Sequence, residues 1–315
     1  MANLVGIAAL SHSPSWDLSR DLEGPGAAFV AAVERLRKFN GQKVDAIVLF
    51  GPDHYRNFFY DQMPQFCIGV EKLDGYGDYD SPAGPLPVQR ELGKHVLDRL
   101  MSSGFDPAVS LNMCVDHGHT QPYAAVNPAL DIPVVPIMIN CQGGPRPTYR
   151  RVMDFGRVVG EAIRSFPAEM NVIVMGSGGL SHFLPKMSAD DTATPENTRD
   201  YIINGRERSR EVNAEKERVS KERRAEKRTG KVSEAWDAWF LNLVETGNFE
   251  PLHLMSDAEI EEAAGNGAHE LRTWLAAAAA WGRDIRTVGY EAVPTWITGM
   301  GVIGGGICLP QDKQG

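Results

Sequence analysis

Four short apolar runs in this chain each end in a turn-forming tail that carries histidine. They are LVGIAAL followed by SHSP (His12), AIVLF by GPDHY (His54), VSLNMC by VDHGH (His117 and His119), and NVIVM by GSGGLSH (His182). Runs of this length, bounded by Gly, Pro, Asp and Ser, read as buried strands rather than helices. Between them lie stretches with helical periodicity, and strands alternating with helices point to an α/β fold. In open α/β sheets ligands bind outside the carboxyl ends of the strands. Imidazole is both a common metal ligand and an acid/base near neutrality. Histidines gathered at several strand ends therefore predict one pocket with metal-dependent or acid/base chemistry.

Residues 4–10 read as the first strand, and residues 24–39 as a helix with Phe29, Val33 and Leu36 on one face. A strand is expected at 44–50, another around CIGV within the aromatic stretch 58–70, and a loop at GYGDYDSPAGPLP (75–87). A helix follows at about 88–103, strands at 107–113 and 132–139, a helix at about 147–165, and a strand at 170–176. Beyond His182 the segment from about 190 to 230 is densely charged with both signs interspersed. It reads as a solvated helix with pairs such as Glu217–Lys221, in preference to a patch for an anionic partner. From Val232 onward three short helices return to the core, and the tail GGGICLPQDKQG is expected to fray. No internal repeat or linker divides the 315 residues, so a single catalytic domain over 1–315 is expected.

Composition narrows the function. A formal net charge of -9 argues against nucleic-acid binding. Cys67, Cys114, Cys141 and Cys308 form no CxxC pair and read as small buried hydrophobes. MANLVGIAAL lacks the basic region of a signal peptide, and TWLAAAAAW falls short of the roughly 20 residues that span a bilayer. A cytoplasmic protein without membrane contact is the expectation.

Two neutral imidazoles from neighbouring strand ends, His12 and His54, can hold one divalent metal. A carboxylate is the common third ligand, and it leaves positions open for substrate and dioxygen on Fe(II). Asp53, Asp116 and Glu270 are the candidates. Asp53 adjoins His54, and neighbours on extended chain diverge. Glu270 opens a helix, where its backbone is rigid. His269-Glu270 is no zinc-protease motif, because Thr273 stands where a second histidine is needed. GSGGLSH lacks phosphate-loop spacing, and Ser177 and Ser181 lack the nucleophile elbow of a serine hydrolase.

SHSP, FGPDHYRNFFYDQMPQFCIGV, VDHGHTQP, GSGGLSH, HELRTW and WITGMG occur in one order over about residues 4–300. Together they resemble the class III (LigB-type) extradiol ring-cleavage dioxygenases. The resemblance implies a mixed sheet flanked by helices, with the active site at the carboxyl ends of strands. It implies His12, His54 and Glu270 as ligands of Fe(II). His182 and His117 become proton-transfer residues, and Asp116 orients His117 or the substrate. It also implies a substituted catechol and O2 as substrates, a muconate-semialdehyde or keto-acid type product, and a homo-oligomer. One departure is His119, which stands where the family pattern has an aromatic residue. It faces a polar ring substituent or turns into structure. A metal-dependent hydrolase, or a ligand-binding relative without catalysis, are the competing readings of the same residues.

Overall fold

A computed structural model describes residues 1–16, 23–185, 187–189 and 191–309. Among these residues the strands are β1 (Asn3–Leu10), β2 (Ala46–Gly51), β3 (Phe66–Tyr76), β4 (Ala83–Leu86), β5 (Ala108–Val115), β6 (Val134–Ile139), β7 (Asn171–Ser177), β8 (Arg286–Val293) and β9 (Thr298–Gly306). They form one sheet in the order β4-β3-β6-β2-β7-β1-β9-β8, with β5 beside β3. The central strands β6, β2, β7 and β1 are parallel. β3 and β4 on one flank, and β9 and β8 on the other, run antiparallel to their neighbours in this order, whereas β5 is parallel to β3. The expected mixed α/β sheet is thus present.

The helices are α1 (Ala27–Leu36), α2 (Arg90–Ser102), α3 (His117–Val126), α4 (Tyr149–Ser165), α5 (Glu196–Asn204), α6 (Ser209–Ala225), α7 (Glu234–Thr246), α8 (Glu250–His253), α9 (Asp257–Ala264) and α10 (Leu271–Trp281). They cover both faces of the sheet. Ala46, Val48 and Phe50 of β2 pack with α2, α4 and α10, whereas Ile47 and Leu49 pack with α1 and α3. A strand covered on both faces reads as a continuous apolar run, which is why β1, β2 and β7 stand out in the sequence. The alanine-rich run of α10 is buried against α4. Gly156 and Gly160 permit this: a Cβ at either would stand 2.2 or 2.1 Å from the carbonyl oxygen of Ala276 or Ala280. The close approach holds the helix that begins immediately after Glu270.

Parts of the fold differ from the sequence expectation. The loop expected at 75–87 is a hairpin instead. β3 continues to Tyr76 and β4 pairs back, from Leu73↔Leu86 to Tyr76↔Ala83. Gly77, Tyr79 and Asp80 take positive φ in the turn, and those turn residues masked the short strand. α3 was not anticipated, because HGHTQP carries little apolar periodicity. The glycines expected to fray at 304–306 complete β9, where β1 and the 307–309 turn approach too closely for side chains. The rest of the expected frayed tail, residues 310–315, lies outside the described residues.

The charged segment forms α5 and α6. Of the α6 side chains only Ser209 and Asn213 are buried, and Arg218 pairs with Glu215 and Glu222 on its exposed face. α5 is tied to the loop after β2 by Tyr55, Phe59, Tyr201 and Ile202. All four cysteines are free thiols. No described helix is long and apolar enough to cross a membrane.

Candidate active site

β1, β7 and β2 lie side by side, so the turns that leave their carboxyl ends are neighbours. His12, His182 and His54 come from these turns. His117 arrives separately, as the first residue of α3 after the flanking strand β5. Glu270 comes from the 3-10 turn Asn266–Glu270 just before α10.

The Nε2 atoms of His12 and His54 are 3.4 Å apart. Glu270 faces both: its Oε1 lies 2.9 Å from His54 Nε2 and its Oε2 3.5 Å from His12 Nε2. The opposite ring nitrogens are occupied. His12 Nδ1 is 3.0 Å from Ser177 Oγ, whose own hydroxyl donates to the Gly118 carbonyl. Ser177 Oγ therefore accepts the proton of Nδ1. His54 Nδ1 is 2.9 Å from Asp116 Oδ2, which also accepts the His54 backbone N–H at 2.7 Å. Both rings thereby turn Nε2 toward the Glu270 carboxylate. Fixing the outer nitrogen in this way orients a metal-ligating imidazole. Glu270 is held in turn by the backbone N–H of Gly179 at 2.7 Å and by Gln142 Nε2 at 3.0 Å.

Electrostatics point the same way. Burial disfavours the charged form of Glu270, but the charges of His12, His54 and His182 hold its carboxyl well below the usual range. Asp116 behaves alike: against burial, His54, His117 and Arg56 keep it ionised. Burial pushes His12 down to about 3, although Glu270 opposes it. His54, despite burial, is raised to about 10 by Asp116 and Glu270. Two buried carboxylates thus require positive charge between them. A proton on His54 supplies it, and a divalent cation on the two imidazoles and Glu270 would supply it better. The donor set fits a metal of the non-haem iron type.

His117 completes the cluster. Its ring stacks on His54 with centroids 4.4 Å apart and meets His12 edge-on at 5.2 Å. Ring nitrogens of His12, His54 and His117 all lie within 4.8 Å of one another. The carboxylate that holds His117 is Asp78, not Asp116. Asp78 Oδ2 lies 2.7 Å from His117 Nδ1, and Oδ1 accepts the His117 backbone N–H at 2.8 Å. The buried Arg56 donates to Asp78 at 3.1 Å, to the His54 carbonyl and to the Tyr79 hydroxyl. Asp116 instead serves His54 and caps α3 through the Gly118 N–H.

His182 is seated differently. Its Nδ1 is 3.1 Å from the Leu180 carbonyl. Its ring occupies space left by two glycines: a Cβ at Gly179 would be 2.4 Å from His182 Cε1, and one at Gly267 2.0 Å from Nε2. His119 is not among the grouped ring nitrogens. Its ring lies on Gly51 in a largely apolar niche with Leu49, Val115, Tyr123 and Pro136; the Ile137 and Pro52 backbone groups face it, but neither ring nitrogen makes a well-formed hydrogen bond among the described residues. Burial pushes its pKa to about 4.

Asp53, weighed as a ligand, is turned aside; it accepts the backbone N–H groups of Arg56, Asn57 and Phe58 at 3.1 Å each. Ser181 is bonded to Asp237, and Ser177 serves His12, so neither is poised as a nucleophile. The sequence reading missed Asp78, Arg56, Gln142 and Gly267. Asp78 and Gly267 each sat beside a noticed feature, the GYGDYD turn and the His269-Glu270 pair. Arg56 and Gln142 carried no local signal of this role.

The sequence matches one protein family, described as the catalytic LigB subunit of aromatic ring-opening dioxygenase, over residues 6–301. Curated relatives carry the name 2,3-dihydroxyphenylpropionate/2,3-dihydroxicinnamic acid 1,2-dioxygenase. That of Paraburkholderia phymatum is 37% identical, covering 95% of this chain and 96% of its own. That of Escherichia coli K12 is 36% identical, covering 93% and 95%. A solved structure of an uncharacterized protein from Escherichia coli K12 superposes with a TM-score of 0.54 over 95% of this chain and 99% of that one. At 12% identity it speaks for the fold alone.

Proposed function

Since this chain belongs to the LigB family of aromatic ring-opening dioxygenases and is a ring-cleaving dioxygenase, we propose that it is Fe(II)-dependent and opens a substituted catechol beside its diol. The product on this reading is of the muconate-semialdehyde or keto-acid type. The observation that carries the proposal is the convergence of His12 Nε2, His54 Nε2 and the Glu270 carboxylate, each backed by a partner that leaves it free to ligate. The relatives' name makes a catechol with a three-carbon acid side chain the first substrate to try.

Bound by His12, His54 and Glu270, Fe(II) would supply a Lewis acid for the diol and a one-electron centre for dioxygen. The remaining work falls to side chains. His117 donates a hydrogen bond from Nδ1–H to Asp78, so its Nε2 is free to take a proton from a substrate hydroxyl. His182 donates a hydrogen bond from Nδ1–H to the Leu180 carbonyl, and its Nε2 is likewise the exchangeable site. Two imidazoles on different elements allow one to receive a proton while the other delivers one. General acid–base assistance of this kind contributes ~10²–10⁴-fold. Asp116 keeps His54 in the Nε2-ligating tautomer. His119 in its apolar niche gives little support to a role in substrate recognition. A single catalytic domain, in a cytoplasmic homo-oligomer, is the setting we propose; light scattering tests the assembly.

The test is oxygen uptake by protein loaded with ferrous iron, against catechols with and without acid side chains. Stoichiometric uptake with a new visible absorption from the opened ring is expected. No uptake across the panel, with iron bound, refutes the proposal.

A further inference from the structure

Asp237 on α7 is fully buried, and no cation pairs with it among the described residues. Its carboxylate collects three hydrogen bonds: from the Ser181 backbone N–H at 2.7 Å, the Ser181 hydroxyl at 2.9 Å and the Tyr290 hydroxyl at 2.8 Å. Ser181 Oγ also accepts the Ser233 N–H at 2.7 Å, and the Ser181 carbonyl accepts the Gly299 N–H at 3.0 Å. Every polar group of Ser181 is thereby committed. The glycines of the WITGMG block make room for this arrangement. A Cβ at Gly299 would stand 2.0 Å from Asp237 Oδ2, and one at Gly301 2.8 Å from Leu180 Cδ1. Leu180 and Ser181 are clamped between α7 and β9, and the next residue is His182.

We propose that Asp237 is a positioning residue for His182, acting through Ser181 and Leu180 to keep the Leu180 carbonyl where His182 Nδ1 meets it. The imidazole is then held in one tautomer and one orientation, with Nε2 turned away from the clamp. A carboxylate suits this place because three donors converge on it. An amide has one acceptor oxygen, and its NH₂ would oppose a donor. Burial raises the pKa of Asp237, while Tyr290, Ser181 and the charge of His182 oppose that rise. The proposal rests on the reading of His182 as a proton carrier.

The experiment is a double-mutant cycle in the ferrous-loaded full chain, with Asp237→Asn, His182→Gln and the double variant, and with iron content and Tm measured for each. Asp237→Asn is expected to lower kcat by about 10-fold to 100-fold, less than the ~10²–10⁴-fold of a whole acid/base group because the imidazole itself remains, with KM and iron content nearly unchanged. The double variant is expected to be no slower than His182→Gln alone, because Asp237 acts only through that imidazole. Multiplicative losses in the double variant, or wild-type kcat in Asp237→Asn, overturn the proposal and leave the role of His182 standing. Wild-type kcat in His182→Gln overturns both. If Asp237→Asn does not fold, Tyr290→Phe removes one donor and keeps the charge. A loss of roughly 3-fold that vanishes in the His182→Gln background supports the proposal, and a loss that persists there overturns it.

Discussion

His117 and His182 are both proposed to move protons, yet the protein holds them in opposite ways. His117 is gripped by a buried carboxylate, Asp78, which Arg56 grips in turn. Among the described residues the hydrogen-bond partner of the His182 ring is a backbone carbonyl, in a seat of glycines whose anchor, Asp237, is one residue removed. A charge-assisted bond is about twice as strong as a neutral one and fixes the Nδ1 proton firmly. A carbonyl fixes the same tautomer more weakly and leaves the ring freer to shift. The rigid imidazole stacks on His54, beside the proposed metal ligands. The softer one sits on the loop that also donates to Glu270. The difference suits one group that is set in place and another that follows the reacting atoms.

The comparison can be broken most severely at the proposed carboxylate ligand, on which both proton carriers would depend. Glu270→Ala should abolish iron retention and turnover together, by more than ~10³-fold in activity, since it removes a ligand and leaves His54 facing a gap. Metal analysis after gel filtration checks this, and wild-type iron content would falsify the ligand assignment. Asp78→Asn strikes the rigid side. It should lower kcat on the order of 10²-fold with iron retained, and cost roughly 3 kcal/mol of stability, because Arg56 loses its buried partner. Turnover and urea unfolding measure the two effects, and a small loss in both would place His117 outside the chemistry. Gly267→Ala strikes the soft side. Its Cβ would fall 2.0 Å from His182 Nε2, so the ring must move. A loss of about 10-fold in kcat with normal iron content is expected, smaller than that at Asp78 because the seat can yield.

The smallest effect belongs to His119, which lies on neither side. His119→Phe should leave the preference between acidic and neutral catechols within about 2-fold, as competition assays would show. It should change the pH dependence of stability instead. The native pKa of His119 is lowered to about 4, so below the unfolded value near 6.5 the unfolded chain binds the extra proton. Wild type therefore loses stability from this group as pH falls from about 6.5 toward 4, and the variant does not. Urea unfolding at pH 7 and pH 5 should show the variant gaining relative to wild type at pH 5. A constant difference would place His119 in a more polar environment than the fold indicates.

Much of this fold was legible in local sequence. β1, β2, β6 and β7 are buried on both faces, and such strands read as apolar runs whatever surrounds them. β8 and β9 were not read as strands, because half-exposed residues and repeated glycines carry little periodicity. α3 went unread because His117, His119, Thr120 and Gln121 make much of its buried surface polar and Pro122 lies inside the helix, which leaves little apolar periodicity. Within the site, His12, His54 and His182 were marked by the strand ends they follow, and Glu270 was placed by resemblance rather than by spacing.

By itself the sequence determined that short buried strands deliver histidines to turns, because burial on both faces and turn chemistry are properties of a few adjacent residues. Only the tertiary structure decided which carboxylate holds which imidazole. Asp116 goes to His54, 62 residues away, and Asp78 to His117, 39 residues away. Glu270 reaches His54 across 216 residues, and Gln142 steadies it from 128. Such pairings depend on which strands lie side by side and how closely helices approach the sheet. No window of sequence contains that information, because a carboxylate's partner is set by distance in space and by the dielectric around it, and both exist only once the chain has folded.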